Sequence, residues 1–328
     1  MKDRTFEAGF EIESRPSHSV SARRRSLLFV PGADSRKLEK AASSNADALI
    51  FDLEDSVAPD SKEQARTLVA ERLRADPGNS DCIVRVNGDQ TAYFERDVAE
   101  VVAAGARTLM LPKATPAALS HARLLLASVE QDLSLEAGAI RLLGLVEAAM
   151  GVAHLPLLID DSERLDALCF GNADFSLDMG LPDGDLSTGI VYHARCSLAI
   201  TAVAAGLNAV DGVCLAIRDD EAFEAETRSA LSLGFSGKLC IHPRQVAIAN
   251  EVFTPTSDQI DTARRMLAAA LEAERGGVFS LDGKMVDAPV LALQKRLLER
   301  AGHAGELEAA SETSSARQKI QSKELSPK

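Results

Sequence analysis

Seven charged residues stand at or just beyond the ends of short apolar runs. Asp52, Glu54 and Asp55 close the run Ala48–Leu53, and Arg85 lies inside CIVRVNG. Lys113 follows Thr108–Leu111, Glu147 follows Arg141–Val146, and Asp174 comes four residues after Leu168–Phe170. Glu147 and Asp174 offer hard oxygen donors with no Cys or His beside them, the set that suits Mg²⁺. The planar fork of Arg85 suits a carboxylate or an enolate-like oxygen. The same residue types allow plainer roles as helix caps or ion pairs: Arg85 with Glu54 or Asp55, Lys113 with Asp52, and Glu147 or Asp174 with either cation.

Which reading holds depends on the elements that carry them. Eight short apolar runs punctuate the chain: Ser26–Val30, Ala48–Leu53, Cys82–Val86, Thr108–Leu111, Arg141–Val146, Leu168–Phe170, Gly212–Leu215 and Leu239–Ile241. Nearly all are followed by a stretch with helical spacing, such as Ser35–Ser43, Ser61–Arg74, Tyr93–Ala104, Pro116–Glu130, Thr188–Ala205 and Glu221–Leu233. A loop-rich crossover runs through Leu155–Ile159. Continuous apolar strands alternating with amphipathic helices mark a parallel sheet buried on both faces. Eight such units match a closed (β/α)₈ TIM barrel, and no GxGxxG follows the first strand to favour an open doubly wound sheet. In a barrel the strand C-termini converge on one rim. Seven charges on that rim exceed what capping alone explains.

Composition removes several classes of function. The chain has 328 residues and a net charge of −13, which disfavours nucleic acid as a partner. Its longest apolar runs fall far short of the about 20 residues that a membrane helix needs. The five cysteines are widely spaced and form no CxxC, so they predict inert packing in a reducing cytoplasm. His242 reads as a structural hydrogen-bonding residue closing the last strand, and the other histidines have no metal-ligand spacing. Residues 1–22 and 302–328 lack apolar periodicity and are expected to be disordered flanks. Between them, residues 23–255 are expected to form the barrel and 256–301 a C-terminal helix and lid.

Taken in order, the motifs carry a resemblance. RSLLFVPG from Arg25, DLEDSV from Asp52, RVN from Arg85, LPK ending at Lys113, Glu147 with Gly151, GNAD from Gly171, and GKLCIHPRQ from Gly237 are similar to the citrate lyase beta-subunit family. That group includes malyl-CoA, β-methylmalyl-CoA and citramalyl-CoA lyases within the wider HpcH/HpaI aldolase superfamily. The match covers about residues 23–300.

The resemblance implies a Mg²⁺-dependent carbon–carbon lyase (Mn²⁺ being an alternative ion) acting on a CoA thioester. It implies a homo-oligomer, trimer or hexamer. It assigns Glu147 and Asp174 to the metal, Glu147 and Arg85 to the substrate, and Arg85 to the enolate oxygen, with Glu54 and Asp55 in support. FSLDGKMVDAPV, from Phe279, resembles the lid of the malyl-CoA lyase branch, in which Asp287 would reach a neighbouring subunit's site as acid/base. The residues alone equally allow Asp287 to be the N-cap of a helix whose first turn holds Pro289. Arg23–Arg25, Arg36 and Lys37 flank the first strand, and Arg25 and Lys37 are the expected contacts for CoA phosphates. A citrate lyase beta-subunit with alpha and acyl-carrier partners, a malyl-CoA thioesterase or malate synthase, and a non-catalytic acyl-CoA-binding subunit are the competing readings.

Overall fold

The structure, a computed structural model, describes residues 24–75, 81–160, 162–182, 186–272 and 278–302. The expected disordered flanks, apart from Gly302, lie outside these residues, as does Arg23. The chain divides into two compact units, Met1–Asn250 and Glu251–Lys328.

The first unit is a barrel. Strands β1 (Ser26–Pro31), β2 (Ala48–Asp52), β3 (Asp81–Arg85), β4 (Thr108–Leu111), β5 (Arg141–Val146), β6 (Leu165–Phe170), β7 (Asn208–Asp211) and β8 (Gly237–Cys240) pair in parallel in that order. β8 returns to β1 through Leu27 and Leu239 and closes the ring. Helices fill the connections: α1 (Ser35–Ala41), α2 (Lys62–Arg74), α3 (Phe94–Ala103), α4 (Pro116–Asp132), α5 (Ala149–Ala153), α6 (Leu155–Ile159), α7 (Asn172–Asp178), α8 (Gly189–Ala204), α9 (Asp220–Ser232) and α10 (Pro243–Val252). The (β/α)₈ architecture read from the sequence is therefore the observed one. None of the helices among the described residues is long and apolar enough to cross a membrane.

Period-two alternation sorts the strand residues between two layers. Leu27, Ala48, Ile50, Ile83, Met110, Leu143, Leu145, Ala167, Cys169, Val210 and Leu239 pack together as the barrel core. Their neighbours, among them Leu28, Leu49, Phe51, Val84 and Leu168, are buried on the helix side. One step of two beyond the core residues come Asp52 after Ile50, Arg85 after Ile83, and Glu147 after Leu145. The pleat that buries the apolar residues thus delivers the charged ones to the same interior, at its C-terminal rim.

Two expectations need correction. The seventh strand is Asn208–Asp211, not Gly212–Leu215, which lies in the loop beyond it. The polar Asp211 disguises the strand, yet it is fully buried because Arg195 forks onto it at 2.9 and 3.0 Å and Lys238 Nζ donates at 2.7 Å. The crossover after β5 is not loop-rich but holds the two short helices α5 and α6, divided at His154.

In the second unit, α11 (Ser257–Glu272) packs against α12 (Ala288–Arg300), and β9 (Phe279–Leu281) pairs antiparallel with β10 (Lys284–Val286). Asp282 and Gly283 turn the hairpin with φ of 50° and 74°, the left-handed pair a two-residue turn requires. Asp287 caps α12, its Oδ1 accepting from the Val290 N–H at 3.0 Å.

Candidate active site

Arg85 is the hub of the rim. Its Nε and Nη2 donate to the two oxygens of Asp52 at 2.7 and 2.8 Å. Nη1 lies 3.0 Å from Glu54 Oε2 and donates to Asp55 Oδ2 at 3.2 Å. The guanidinium rests over the Phe29 ring, 4.9 Å from its centre. Asp52 in turn accepts the backbone N–H of Glu54 at 2.9 Å and of Ser56 at 3.1 Å, so the turn after β2 folds around its carboxylate.

Glu147 and Asp174 follow the adjacent strands β5 and β6. Glu147 Oε1 accepts the Lys113 backbone N–H at 2.8 Å, presented by a residue held at φ 49°. Gly171 is required beside it: a Cβ there would stand 2.7 Å from Glu147 Oε2 and closer still to its Cβ. Both carboxylates line a cavity of about 470 Å³ with Asp52, Asp55, Arg85, Asn172 and an apolar floor that includes Phe29, Leu145 and Leu239. A larger hollow of about 670 Å³, along residues 216–221, is formed by the end of one loop and the start of α9 and gathers no comparable set.

Five carboxylates here face two cations, and the charge balance shows in their protonation. Burial, reinforced by Asp55 and Asp52 against the pull of Arg85, pushes Glu54 up to about 7. Burial, then Glu54 and Asp174, pushes Glu147 up to about 8. Asp52 goes the other way: burial would raise it, but the hydrogen bonds and charge of Arg85 hold it below the usual carboxylate range. Glu54 Oε2 is buried without a hydrogen bond of its own. A crowded, buried, all-oxygen cluster is the environment a hard divalent cation relieves. Among the described residues, no three His, Cys, Asp or Glu side chains are placed to hold an ion unaided. Glu147 and Asp174 would leave the remaining positions to water and substrate, the usual arrangement for Mg²⁺.

The sequence-derived residues thus separate. Glu54, Asp55, Arg85, Glu147 and Asp174 meet at the rim. Lys113 Nζ approaches Glu54 at 3.7 Å, not Asp52 as its sequence context suggested. Lys37 is exposed on the first turn of α1, just beyond the C-terminal end of β1, and lies 3.5 Å from Asp34. Arg25 is not at the rim: it precedes β1 at the opposite end of the barrel and forks onto Asp47 at 2.7 Å through both Nε and Nη2. Asp287 is in the second unit.

Two supports were not anticipated. Asn172 exchanges hydrogen bonds with the backbone of Val213, accepting at 2.9 Å and donating at 3.1 Å. Gln245 accepts from Ile241 and His242 and donates to the Cys214 carbonyl at 3.0 Å. Together they clasp the loops after β6, β7 and β8, and only their places inside GNAD and GKLCIHPRQ hinted at it. His242 Nδ1 accepts from the Arg244 N–H at 3.2 Å, a structural role. The thiols of Cys169 and Cys240 are pushed up to about 12 by burial, which leaves them inert.

The profile of the HpcH/HpaI aldolase/citrate lyase family matches residues 25–243. A citrate lyase subunit beta from Leuconostoc mesenteroides subsp. cremoris is 35% identical over 285 residues, spanning 85% of this chain and 93% of the relative. A (3S)-malyl-CoA thioesterase from Cereibacter sphaeroides is 39% identical over 284 residues, spanning 84% and 94%. Among solved structures, the protein CitE from Mycobacterium tuberculosis in complex with magnesium, acetoacetate and coenzyme A superimposes with a TM-score of 0.72. It is 30% identical, and the match covers 86% of this chain and all of that one.

Proposed function

The chain belongs to the HpcH/HpaI aldolase/citrate lyase family, and on that premise we propose that it is a Mg²⁺-dependent carbon–carbon lyase. Its substrate is a 3-hydroxyacyl-CoA of the malyl, β-methylmalyl or citramalyl type. The products are acetyl- or propionyl-CoA and glyoxylate or pyruvate. The observation that carries this reading is the cavity itself, in which a buried arginine faces two carboxylates across an apolar floor. A metal- and CoA-bound relative on the same fold supports it.

Glu147 and Asp174 would hold the metal. When bound, Mg²⁺ supplies polarisation of the substrate's hydroxyl and carboxylate. Transfer of the hydroxyl proton to water lets the bond to the thioester α-carbon break, its electron pair passing to the departing enolate. Negative charge develops on the departing enolate oxygen, where Arg85 stands preorganised by Asp52, Glu54 and Asp55. Asp287 of a neighbouring subunit, protonated, delivers a proton to the enolate carbon; in the synthetic direction its carboxylate removes that proton. This role makes the active species a homo-oligomer, a trimer or hexamer. Arg36 and Lys37, both exposed on α1, are this chain's contribution to the CoA phosphates, and the protein works in the cytoplasm.

Arg85 is the sole cation among the described residues lining the cavity. The segment 279–290, which resembles the lid of the malyl-CoA lyase branch, weighs against a citrate lyase beta-subunit. Hydrolysis of malyl-CoA is the second reading, favoured by the thioesterase relative. Incubation with malyl-, β-methylmalyl-, citramalyl- and citryl-CoA decides among them. Oxo acid plus a shortened acyl-CoA marks the lyase, free CoA plus malate marks the thioesterase, and oxaloacetate marks citrate cleavage.

A further inference from the structure

Lys62 opens α2 yet is only 8% exposed. Its Nζ donates to the carbonyl oxygens of Leu53 at 2.8 Å and Glu54 at 2.6 Å, the two residues that follow Asp52. The ammonium also lies 5.9 Å from the centre of the Tyr93 ring. Glu54 is therefore gripped at both ends, its carbonyl by Lys62 and its carboxylate by Arg85 at 3.0 Å. One helical turn on, Arg66 Nε donates to Asp97 Oδ1 at 2.7 Å, and the other Asp97 oxygen accepts from the backbone and side chain of Asn87. Helix α2 thus carries two buried cations at i and i+4: Lys62 is tied directly to the loop after β2, and Arg66 reaches the loop after β3 through Asp97 of α3.

Ordering a strand-to-helix turn does not call for a buried ammonium, because backbone N–H groups or a neutral side-chain amide, with two N–H donors, would satisfy two carbonyls at lower desolvation cost. The charge has a further use here, since Lys62 stands behind the most crowded acidic segment of the rim, Asp52 to Asp55. We propose that Lys62 is a positioning residue of the active site: by fixing the Leu53 and Glu54 carbonyls it aims the Glu54 and Asp55 carboxylates at Arg85 and so holds the guanidinium in place for the enolate. The proposal rests on the reading of Arg85 given above.

Two readouts test it independently. Deuterium exchange of the amides in residues 53–57 reports the loop without any substrate. Lys62→Met, of similar length and uncharged, should exchange there at least tenfold faster while circular dichroism shows an intact barrel. On the thioester that the wild-type protein cleaves, kcat should fall about 10–100-fold with KM little changed, because the interaction matters in the transition state. Lys62→Arg, which keeps charge and donors, should recover most of both. If Lys62→Met fails to fold, Lys62→Gln is read in the same way. Unchanged exchange and unchanged kcat in the folded variant would overturn the proposal, and so would a loss that Lys62→Arg leaves unrepaired. A wild-type chain that cleaves none of the thioesters would instead remove the reading of Arg85, while the exchange comparison still decides whether Lys62 holds the loop.

Discussion

Asp52 and Arg85 are register partners on adjacent strands, and their side chains close a two-bond fork across the barrel rim at 2.7 and 2.8 Å. Both face inward because Ile50 and Ile83, two residues earlier, belong to the core. The sheet's own pairing therefore builds the Asp52–Arg85 fork of the proposed anion-binding centre. A guanidinium forked in this way cannot swing toward solvent, which is what preorganisation requires.

Removing Asp52 should cost both stability and turnover. An Asp52→Ala variant leaves a buried arginine without its main partner, an imbalance of roughly 3–5 kcal/mol for a buried pair. Glu54 and Asp55 still face Arg85, so the lower end is expected in urea unfolding. Oxo-acid release should fall about 10–100-fold. A variant with the wild-type urea midpoint and wild-type kcat would show that the fork is incidental.

Glu147→Gln and Asp174→Asn should each weaken Mg²⁺ binding by at least about tenfold in isothermal calorimetry. The barrel should remain folded, because neither carboxylate braces the core. Unaltered Mg²⁺ affinity in both variants would take these residues out of the metal site.

Glu130 gives a pH prediction away from the site. Its carboxylate accepts from Arg164 Nη1 and Nη2 at 2.6 and 2.7 Å and from the N–H groups of Ile140 and Gly138. Burial opposes ionisation, but these bonds win and hold it down at about 2, against 4.5 for an ordinary glutamate. A lowered folded pKa means that the contribution is complete above about 4.5 and vanishes as pH falls through about 2. The wild-type advantage over Glu130→Gln should therefore be about 3 kcal/mol at neutral pH and shrink across that window. A difference that stays constant from pH 6 to pH 2 would contradict it.

Asp287→Asn separates capping from catalysis. Asn caps a helix about as well as Asp, so the thermal midpoint should hold. Loss of the acid/base group should cut turnover by about 10²–10⁴-fold while Mg²⁺ still binds. Unchanged turnover would leave Asp287 only its bond to Val290. Light scattering should find the active species to be a trimer or hexamer, and an active monomer would exclude a donated Asp287.

The barrel is legible because most of its strands carry an apolar run of three residues or more. β7 was misplaced because Asp211 reads as a strand end until Arg195 and Lys238 are seen to neutralise it. The rim charges are legible as a set, and so is the pairing of Arg85 with Glu54 and Asp55; the fork of Arg85 onto Asp52 is not. Asp52 reads as one possible partner of Lys113, since spacing alone does not reveal that Asp52 and Arg85 stand in register. Arg25 looked like a phosphate ligand because basic runs are read without polarity, whereas a residue before a strand lies at the end opposite the site. Lys62 was invisible as a site residue, because a lysine at the start of an amphipathic helix ordinarily faces water.

In the proposed reaction this rim breaks a carbon–carbon bond using Arg85, with a metal held by Glu147 and Asp174. Following glyoxylate or pyruvate from malyl-CoA and citramalyl-CoA, with Mg²⁺ and with chelator, for the wild type and for Arg85→Gln, examines all of these roles together. Stoichiometric oxo acid and shortened acyl-CoA should require Mg²⁺ and fall by at least about 100-fold in the variant. Release of free CoA and hydroxy acid without oxo acid, or oxo-acid release indifferent to chelator and to Arg85, would contradict the proposed reaction.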